Sequence, residues 1–184
     1  MYKNIPNLIT VSRLLLLPVL IWLLWTDNVT SGWYAAGVLA IIGISDLIDG
    51  YLARRWDVVS NIGKIIDPAA DKITILVSVL MMLHLNRINV ILAILIISRE
   101  LIVVTLRAVA ASDGIVIQAS DGGKRKTALQ MFGVGGLFIY YDFFGASAAY
   151  CGNVLLIMSV ILSWYSGLKY IKDYYLSTKQ TLSI

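Results

Sequence analysis

Four aspartates at two regular spacings are the residues of this chain best suited to chemistry. Asp46 and Asp49 are three residues apart, and Asp67 and Asp71 are four residues apart. On a helix, either spacing places both side chains on one face. Two helices joined by a short turn would bring the four carboxylates together, and these repel one another unless a cation neutralises them. Such hard oxygen ligands favour Mg²⁺, Mn²⁺ or Ca²⁺ over softer metals.

The composition places these acids in a membrane protein. The chain has 184 residues, of which 59% are hydrophobic, and its mean hydropathy is +0.81. A soluble domain is usually about 45–50% apolar, and apolar runs of roughly 20 residues are long enough to cross a bilayer as helices. We therefore expect an all-α, polytopic membrane protein with six transmembrane helices, forming one domain over residues 1–184.

Polar and turn-forming residues separate six apolar runs, which predict the membrane spans. The predicted spans are residues 8–26, 33–55, 65–85, 90–111, 127–144 and 147–171. Residues 112–126 form the predicted polar connection between the fourth and fifth spans. In the fifth span, Gly133, Gly135 and Gly136 predict close contact with a neighbouring helix.

The basic residues predict the orientation of these spans. Six spans place both termini on one side of the membrane, and almost all loop lysines and arginines fall on that side. Only Arg87 lies in the opposite loops. By the positive-inside rule the termini are cytoplasmic. The four aspartates then lie near the cytoplasmic face, within the depth of the membrane.

A second group of charged residues predicts a phosphate site at the same end. Arg99 and Arg107 are eight residues apart, or about 80° around a helix, and with Lys124 and Lys126 they can form a cationic pocket. The alternative for the basic run 124–126 is contact with anionic headgroups. Headgroup contact explains Arg99 less well, because Arg99 lies several residues inside its span. For Lys72 and Glu100, the pattern fits ion pairing between helices and a functional role equally.

Small and polar residues near the acids allow two interpretations each. Gly50 and Ala53 either pack helices closely or leave room for a planar or phosphate group. Asn7, Thr10 and Arg13 are spaced at i, i+3 and i+6 at the start of the first span. They either anchor its interfacial end or reach into the acidic site.

The acidic stretch resembles the signature of the CDP-alcohol phosphatidyltransferases. The match reads Asp46-x2-Asp49-Gly50-x2-Ala53-Arg54-x8-Gly63-x3-Asp67-x3-Asp71, with every signature position filled at the right spacing. Residues 4–13, 98–100, 106–107 and 123–127 resemble the bacterial members of this family that make phosphatidylglycerol phosphate. The resemblance extends to about Met131, and residues 121–123 depart from the pattern ahead of the basic run.

This resemblance implies an activity and a setting. It implies a six-helix membrane fold with a short N-terminal juxtamembrane helix, usually a homodimer, in the cytoplasmic membrane of a bacterium. The implied substrates are CDP-diacylglycerol and sn-glycerol 3-phosphate, and the implied products are CMP and phosphatidylglycerol phosphate. No nucleic-acid partner is implied.

The resemblance also implies a role for each matching residue. Two divalent ions, Mg²⁺ or Mn²⁺, would be held by Asp46, Asp49, Asp67 and Asp71, with Asp71 also the general base. The implied CDP-diacylglycerol-binding residues are Thr10, Ser45, Asp49, Gly50, Ala53, Arg54 and Gly63. The implied glycerol 3-phosphate-binding residues are Arg99, Arg107, Lys124 and Lys126.

Two alternatives stand beside this interpretation. Within the family, the acceptor is instead inositol phosphate, phosphatidylglycerol or serine; the basic residues favour an acceptor with a phosphate and so disfavour serine. In a different class, a divalent-metal transporter would use the acidic cluster as its transport site near the middle of the membrane.

Overall fold

Six helices and one minimal β-hairpin make up the described part of the chain. The computed structural model describes the backbone of residues 5–56, 63–112, 121–143 and 145–181, and the side chains of residues 11–48, 69–70, 72–112, 126–142, 145, 147–172 and 175. The helices are α1 (Ile5–Trp25), α2 (Val29–Trp56), α3 (Gly63–His84), α4 (Val90–Ser112), α5 (Asp121–Ile139) and α6 (Ala148–Thr181), and the hairpin strands are β1 (Asp142–Phe143) and β2 (Ala146–Ser147). The prediction of an all-α fold with six long helices is confirmed, except for this hairpin, whose two strands have two residues each.

The helices pack as a bundle in which each one touches its neighbours around a ring. The ring order is α1, α2, α5, α6, α4 and α3, closed by contact between α3 and α1, while α3 also meets α5 across the middle. The buried core runs through the bundle and includes Leu20, Val79, Ile96 and Phe138. The described connections after α1, α3 and α5 each reverse the chain, and contacts such as Arg13–Asp46 and Arg107–Tyr170 place the N-terminal ends of α1, α3 and α5 with the C-terminal ends of α2, α4 and α6. We call this the site end, and the other the hairpin end.

Side-chain caps fix where two helices begin at the hairpin end. The Oδ1 of Asn28 accepts a hydrogen bond from the Ser31 backbone N–H at 2.8 Å, and Ser31 Oγ accepts one from the Asn28 N–H at 3.3 Å. This reciprocal cap satisfies backbone donors in the first turn. Helix α2 therefore begins at Val29, four residues before the predicted start of the span at residue 33. Asn89 caps α4 in the same way through the Ile91 N–H, at 2.8 Å.

The predicted polar connection over residues 112–126 is wrong in its second half. Helix α5 begins at Asp121, so the basic run 124–126 is helical. Two glycines favoured a loop because glycine costs about 1 kcal/mol in a helix. Tertiary contacts override that local preference, since Lys126 and Gln130, one turn apart, are both buried in the bundle.

The predicted ends of the last two spans also change. Helix α5 ends at Ile139 rather than at residue 144, because Tyr140 adopts a left-handed backbone conformation (φ 62°) that ends the helix. The hairpin follows, with Gly145 at φ 77° in its turn. Helix α6 has 34 residues and continues to Thr181. Its length of about 51 Å exceeds the hydrocarbon core of roughly 30 Å, so the sequence marked only its apolar part.

Glycines allow α5 and α6 to approach closely, as predicted for Gly133 and Gly136. A Cβ on Gly133 would lie 2.8 Å from Leu156 Cγ, and one on Gly152 would lie 2.7 Å from the Gly133 carbonyl oxygen. Any larger residue would push these helices apart. Gly135 faces α2 instead, where a Cβ would make ordinary contact with Leu39 at 3.9 Å.

The outside of the bundle is apolar, which indicates a membrane protein. Large hydrophobic side chains such as Leu15, Leu47, Phe132 and Ile161 are all at least 66% exposed, and soluble proteins rarely expose such continuous apolar surfaces. Within the described residues, Val29–Ile48 and Ala148–Lys172 are long and apolar enough to cross a bilayer. Val11–Trp25 and Lys72–His84 are shorter apolar stretches among the described residues, so six spans stay a prediction. Residues 5–7 belong to α1, and no separate short helix precedes it among the described residues.

Candidate active site

The predicted site residues lie in five of the six helices, α1 to α5. Asp46 and Asp49 lie in α2, and Asp67 and Asp71 lie in the first half of α3. Arg99 and Arg107 lie in α4, and Lys124 and Lys126 in the first two turns of α5. The bundle topology therefore places the predicted acidic and basic groups at one end of the molecule.

Asp46 forms an ion pair with Arg13 of α1. The Nη1 of Arg13 donates to Asp46 Oδ1 at 2.8 Å. Arg13 is only 1% exposed, whereas the Asp46 side chain is 41% exposed. Of the two interpretations of Arg13, burial and this contact favour the second, in which it reaches toward the acidic residues rather than anchoring the end of the span. The pair fixes one carboxylate oxygen of Asp46 while the side chain stays accessible.

The donor chemistry of the four aspartates fits a hard divalent cation. Asp49, Asp67 and Asp71 have described backbones within α2 and α3, while their side chains lie outside the described residues. The helical spacing on both helices is as the sequence predicted, so each pair shares a helix face. Arg13 orients Asp46 as outer-sphere partners orient ligating carboxylates.

Most of the predicted nucleotide-binding side chains lie outside the described residues. This holds for Thr10, Gly50, Ala53, Arg54 and Gly63, whose backbones belong to α1, α2 and α3. Ser45 is described, and its hydroxyl donates to the Ile41 carbonyl at 2.7 Å within α2. That bond leaves the oxygen lone pairs of Ser45 free to accept, one residue before the acidic signature begins at Asp46.

Arg99, Glu100 and Lys126 form a buried charge cluster between α4 and α5. The Lys126 ammonium donates to Glu100 Oε1, and Arg99 Nη1 lies 3.4 Å from that same oxygen. All three residues are at most 9% exposed. Two of the four residues predicted to bind phosphate therefore share one carboxylate oxygen. Lys124 is in the same helix, but its side chain lies outside the described residues.

Helix α6 supplies the polar partners that hold the two arginines. Arg99 Nε donates to the Ser163 carbonyl at 3.1 Å, and Arg107 Nε donates to the hydroxyl of Tyr170 at 3.2 Å. The Arg107 guanidinium also lies 5.3 Å from the centroid of the Tyr170 ring, within cation–π range. Both arginine side chains therefore extend from α4 to α6, where these contacts hold them.

The described charges of this cluster do not balance. Arg99 and Arg107 are close enough to repel electrostatically, and Lys126 is repelled by both Arg99 and Lys72. Among the described residues, Glu100 is the carboxylate that contacts Arg99 and Lys126, so one anion faces two buried cations with further cations close by. An excess of guanidinium and ammonium donors over carboxylates is suited to binding a phosphate group.

Three residues that the sequence analysis did not assign to the site belong to its geometry. Arg13 orients Asp46, Glu100 joins Arg99 to Lys126, and Tyr170 holds Arg107. The sequence analysis left both open: Arg13 by its spacing with Asn7 and Thr10, and Glu100 as a charged residue inside an apolar span, where such residues usually face the bundle interior. Tyr170 carried no such signal, because tyrosine is common at membrane interfaces.

Comparisons with known proteins show which family the chain belongs to. A family model described as CDP-alcohol phosphatidyltransferase matches residues 3–165. Proteins named CDP-diacylglycerol–glycerol-3-phosphate 3-phosphatidyltransferase are similar to the chain. The one from Haemophilus influenzae is 34% identical over 92% of this chain and 92% of its own length, and the one from Rickettsia typhi is 32% identical over 92% and 96%. That from Bacillus subtilis is 31% identical over 91% and 93%. The chain therefore belongs to the CDP-alcohol phosphatidyltransferase family.

Proposed function

We propose that this protein transfers the phosphatidyl group of CDP-diacylglycerol to sn-glycerol 3-phosphate, giving phosphatidylglycerol phosphate and CMP in phospholipid biosynthesis. Family membership supports the reaction type, and the names of the similar bacterial proteins support both substrates. The observation that carries the choice of acceptor is the buried cluster of Arg99, Lys126 and Glu100 beside Arg107. Its excess positive charge suits an acceptor that already bears a phosphate.

The acceptor pocket is assigned to the four basic residues of α4 and α5. Arg99 and Lys126 would bind phosphate oxygens from inside the bundle, and Arg107 and Lys124 would bind from the site end. Burial strengthens these contacts, because hydrogen bonds between charged groups gain strength where water is excluded. Serine has no phosphate, so this pocket disfavours serine as the acceptor, and inositol phosphate is the rival that the acceptor assay below addresses.

The nucleotide end of the donor is assigned to the acidic stretch. Thr10, Ser45, Gly50, Ala53, Arg54 and Gly63 would bind the cytidine and its phosphates alongside Asp49. The small residues at 50, 53 and 63 leave room for a large flat group to approach the helix backbone. The diacyl tails would stay in lipid against the apolar exterior of the bundle.

Members of this family generally use divalent metal ions. Asp46, Asp49, Asp67 and Asp71 would hold two such ions, Mg²⁺ or Mn²⁺. When bound, the ions neutralise the charge that develops on the pyrophosphate oxygens. Arg13 assists by holding Asp46 in one orientation, at 2.8 Å, which leaves its second oxygen for a ligand.

The chain's own residues would direct the transfer. The basic pocket fixes glycerol 3-phosphate by its phosphate, which presents the free primary hydroxyl to the β-phosphorus of CDP-diacylglycerol. Asp71 accepts the hydroxyl proton as the new O–P bond forms. The bond between the β-phosphorus and the bridging oxygen breaks, and CMP leaves with that oxygen and its electron pair. In-line placement of the two substrates accounts for much of the rate in such transfers.

The site must open to water and to lipid at the same time. We propose that all six helices cross the cytoplasmic membrane of a bacterium, with the termini and the site end on the cytoplasmic side, because the loop lysines and arginines concentrate there. The water-soluble acceptor then enters from the cytoplasm. We further propose that the protein is a homodimer.

An acceptor assay tests this proposal. Purified protein is incubated with CDP-diacylglycerol and, in separate reactions, with glycerol 3-phosphate, inositol phosphate, phosphatidylglycerol or serine, and CMP release is measured. We expect CMP with glycerol 3-phosphate, dependent on Mg²⁺ or Mn²⁺ and stopped by a chelator. Asp71→Asn should abolish release. Asp142→Asn is the matched control, since Asp142 is exposed at the hairpin end. Release with serine but not with glycerol 3-phosphate would refute the proposal.

The same assay separates the enzyme from a metal transporter. A transporter would move divalent ions into sealed vesicles without releasing CMP. Ion uptake together with no CMP release in the presence of any acceptor would favour transport.

A further inference from the structure

We propose that Glu100 is a positioning residue of the acceptor pocket, which acts by holding Lys126 in place for the phosphate of the acceptor. This inference rests on the proposed function. Glu100 is the only glutamate of the chain, and it lies near the middle of α4, where its side chain is largely buried. Its role follows from three features of its surroundings.

The first feature is the geometry of the shared oxygen. Glu100 Oε1 contacts the Lys126 ammonium and lies 3.4 Å from Arg99 Nη1. The Glu100 side chain is 12% exposed and that of Lys126 is 6% exposed. A lysine side chain loses much rotational freedom when it is held in one place. The ion pair with Glu100 therefore fixes Lys126 in one direction before any substrate arrives.

The second feature is the unfavourable free energy of burying the charged groups of the cluster. Burying an ionised group is unfavourable unless it is paired and hydrogen-bonded. A lysine at this depth without a carboxylate would turn toward the site end or pull α5 away from α4. Glu100 thus makes it possible to keep Lys126 charged and inside the bundle, which a phosphate pocket requires.

The third feature distinguishes this cluster from an ordinary structural ion pair. One carboxylate balances one cation, yet the same Glu100 oxygen serves both Arg99 and Lys126 among the described residues. Arg107 adds further positive charge, since it acts electrostatically on Arg99. The cluster therefore keeps positive charge that an incoming anion can neutralise. Glu100 supplies enough negative charge to assemble the cations without cancelling them.

Steady-state kinetics of Glu100 variants test the proposal. Glu100→Gln keeps the shape and removes the charge. Because Lys126 then loses its charged partner, we expect the KM for glycerol 3-phosphate to rise about tenfold or more. The kcat and the KM for CDP-diacylglycerol should stay within about twofold, because the nucleotide end of the site is untouched. Glu100→Asp should recover part of the loss, and Asp142→Asn should change neither KM.

Two outcomes of these kinetics would overturn the proposal. A lower KM for glycerol 3-phosphate in Glu100→Gln would show that Glu100 only competes with phosphate for the cations. Equal changes in both KM values, in step with a loss of folded protein, would show a purely structural role.

A double variant shows whether Glu100 acts through Lys126. We expect Glu100→Gln/Lys126→Gln to have nearly the KM of Lys126→Gln alone, because the second change removes a partner that is already lost. Glu100→Gln alone leaves the buried Lys126 without a carboxylate partner. The double variant removes that lysine as well, so it should stay folded even if Glu100→Gln is unstable. If the increase in KM of the double variant equalled the product of the two single-variant increases, the proposal would be contradicted.

Binding of inorganic phosphate separates this inference from the proposed function. The thermal unfolding temperature of the full-length protein in detergent is measured with and without phosphate. We expect phosphate to stabilise the wild type and to stabilise Glu100→Gln less, whichever acceptor the enzyme uses. If the wild type releases no CMP with glycerol 3-phosphate but phosphate stabilisation depends on Glu100, the proposed acceptor is wrong and the positioning role is supported. Equal stabilisation of both proteins would overturn the role of Glu100.

Discussion

Arg87 and Arg99 are buried to almost the same extent, with 6% and 7% exposure, yet their surroundings differ in charge. Arg87 lies at the hairpin end and donates from Nη1 to the carbonyls of Leu137 and Phe138, both at 2.9 Å. Its Nη2 pairs with Asp27 Oδ1 at 2.5 Å, and its guanidinium lies 4.5 Å from the centroid of the Tyr140 ring. Arg99 instead shares the single carboxylate of Glu100 with Lys126.

The difference shows how a structural arginine can be distinguished from a binding arginine in an apolar bundle. Arg87 has a carboxylate of its own, and it donates to two buried carbonyls in the last turn of α5, where the helix dipole is negative. It joins the turns at the hairpin end into one unit. Arg99 belongs to a cluster with more cations than carboxylates among the described residues. Charge balance, rather than burial, separates the two roles.

The largest effect in this comparison is expected for Arg99. Arg99→Gln removes a charged donor from the proposed phosphate pocket, so kcat/KM for glycerol 3-phosphate should fall about 100-fold or more. CMP release at varied acceptor concentration measures the loss. Arg87→Gln is the matched control and should keep kcat/KM within about threefold at a temperature where it is folded. If both variants lost activity equally, charge balance would not be the distinguishing property.

Arg87→Gln should instead have the larger effect on stability. It removes charged hydrogen bonds to two helix carbonyls and one ion pair, which should lower the unfolding free energy by about 2–3 kcal/mol. Asp27 is 54% exposed, so water can solvate it after the change, which limits the loss. Unfolding in detergent, followed by circular dichroism, measures the effect. An unchanged unfolding midpoint would contradict the structural role of Arg87.

Arg13 tests the intermediate case, a buried arginine that pairs with a proposed metal ligand. Arg13→Gln should raise the Mg²⁺ concentration that gives half-maximal activity by about tenfold, because outer-sphere partners typically change metal affinity by that order. Titration of CMP release with Mg²⁺ measures the shift. Arg87→Gln should leave the Mg²⁺ requirement unchanged. Loss of folded protein with an unaltered Mg²⁺ requirement would place Arg13 with Arg87 as a structural residue.

The smallest effect is expected for Tyr170. Tyr170→Phe removes the hydroxyl that accepts from Arg107 Nε at 3.2 Å but keeps the ring beneath the guanidinium. The KM for glycerol 3-phosphate should therefore rise only about two- to fivefold. Tyr165→Phe is the matched control on the same helix, because Tyr165 is 72% exposed. An identical KM for wild type and Tyr170→Phe would show that the hydroxyl does not help to hold Arg107 for the acceptor.

Regular patterns in the sequence predicted most of the fold. Apolar runs separated by polar turns marked all six helices, because a helix must satisfy its own backbone hydrogen bonds in an apolar setting. The errors occurred at helix ends. The sequence suggested a loop over residues 112–126, but α5 begins at Asp121, and burial of Lys126 overcomes the low helix propensity of Gly122 and Gly123. Asn28 extends α2 by a cap, which hydropathy alone does not register.

The sequence by itself determined the family, the acidic signature and the presence of excess basic residues at one end, because these depend on residue type and spacing along one helix. Only the tertiary structure decided which charges meet. Arg13 pairs with Asp46 across 33 positions, Lys126 with Glu100 across 26, and Arg107 with Tyr170 across 63. Contacts between helices depend on the ring order and on how each helix is rotated about its axis, and neither is encoded in local spacing. The physical reason is that packing of the whole bundle, rather than any single segment, fixes those rotations.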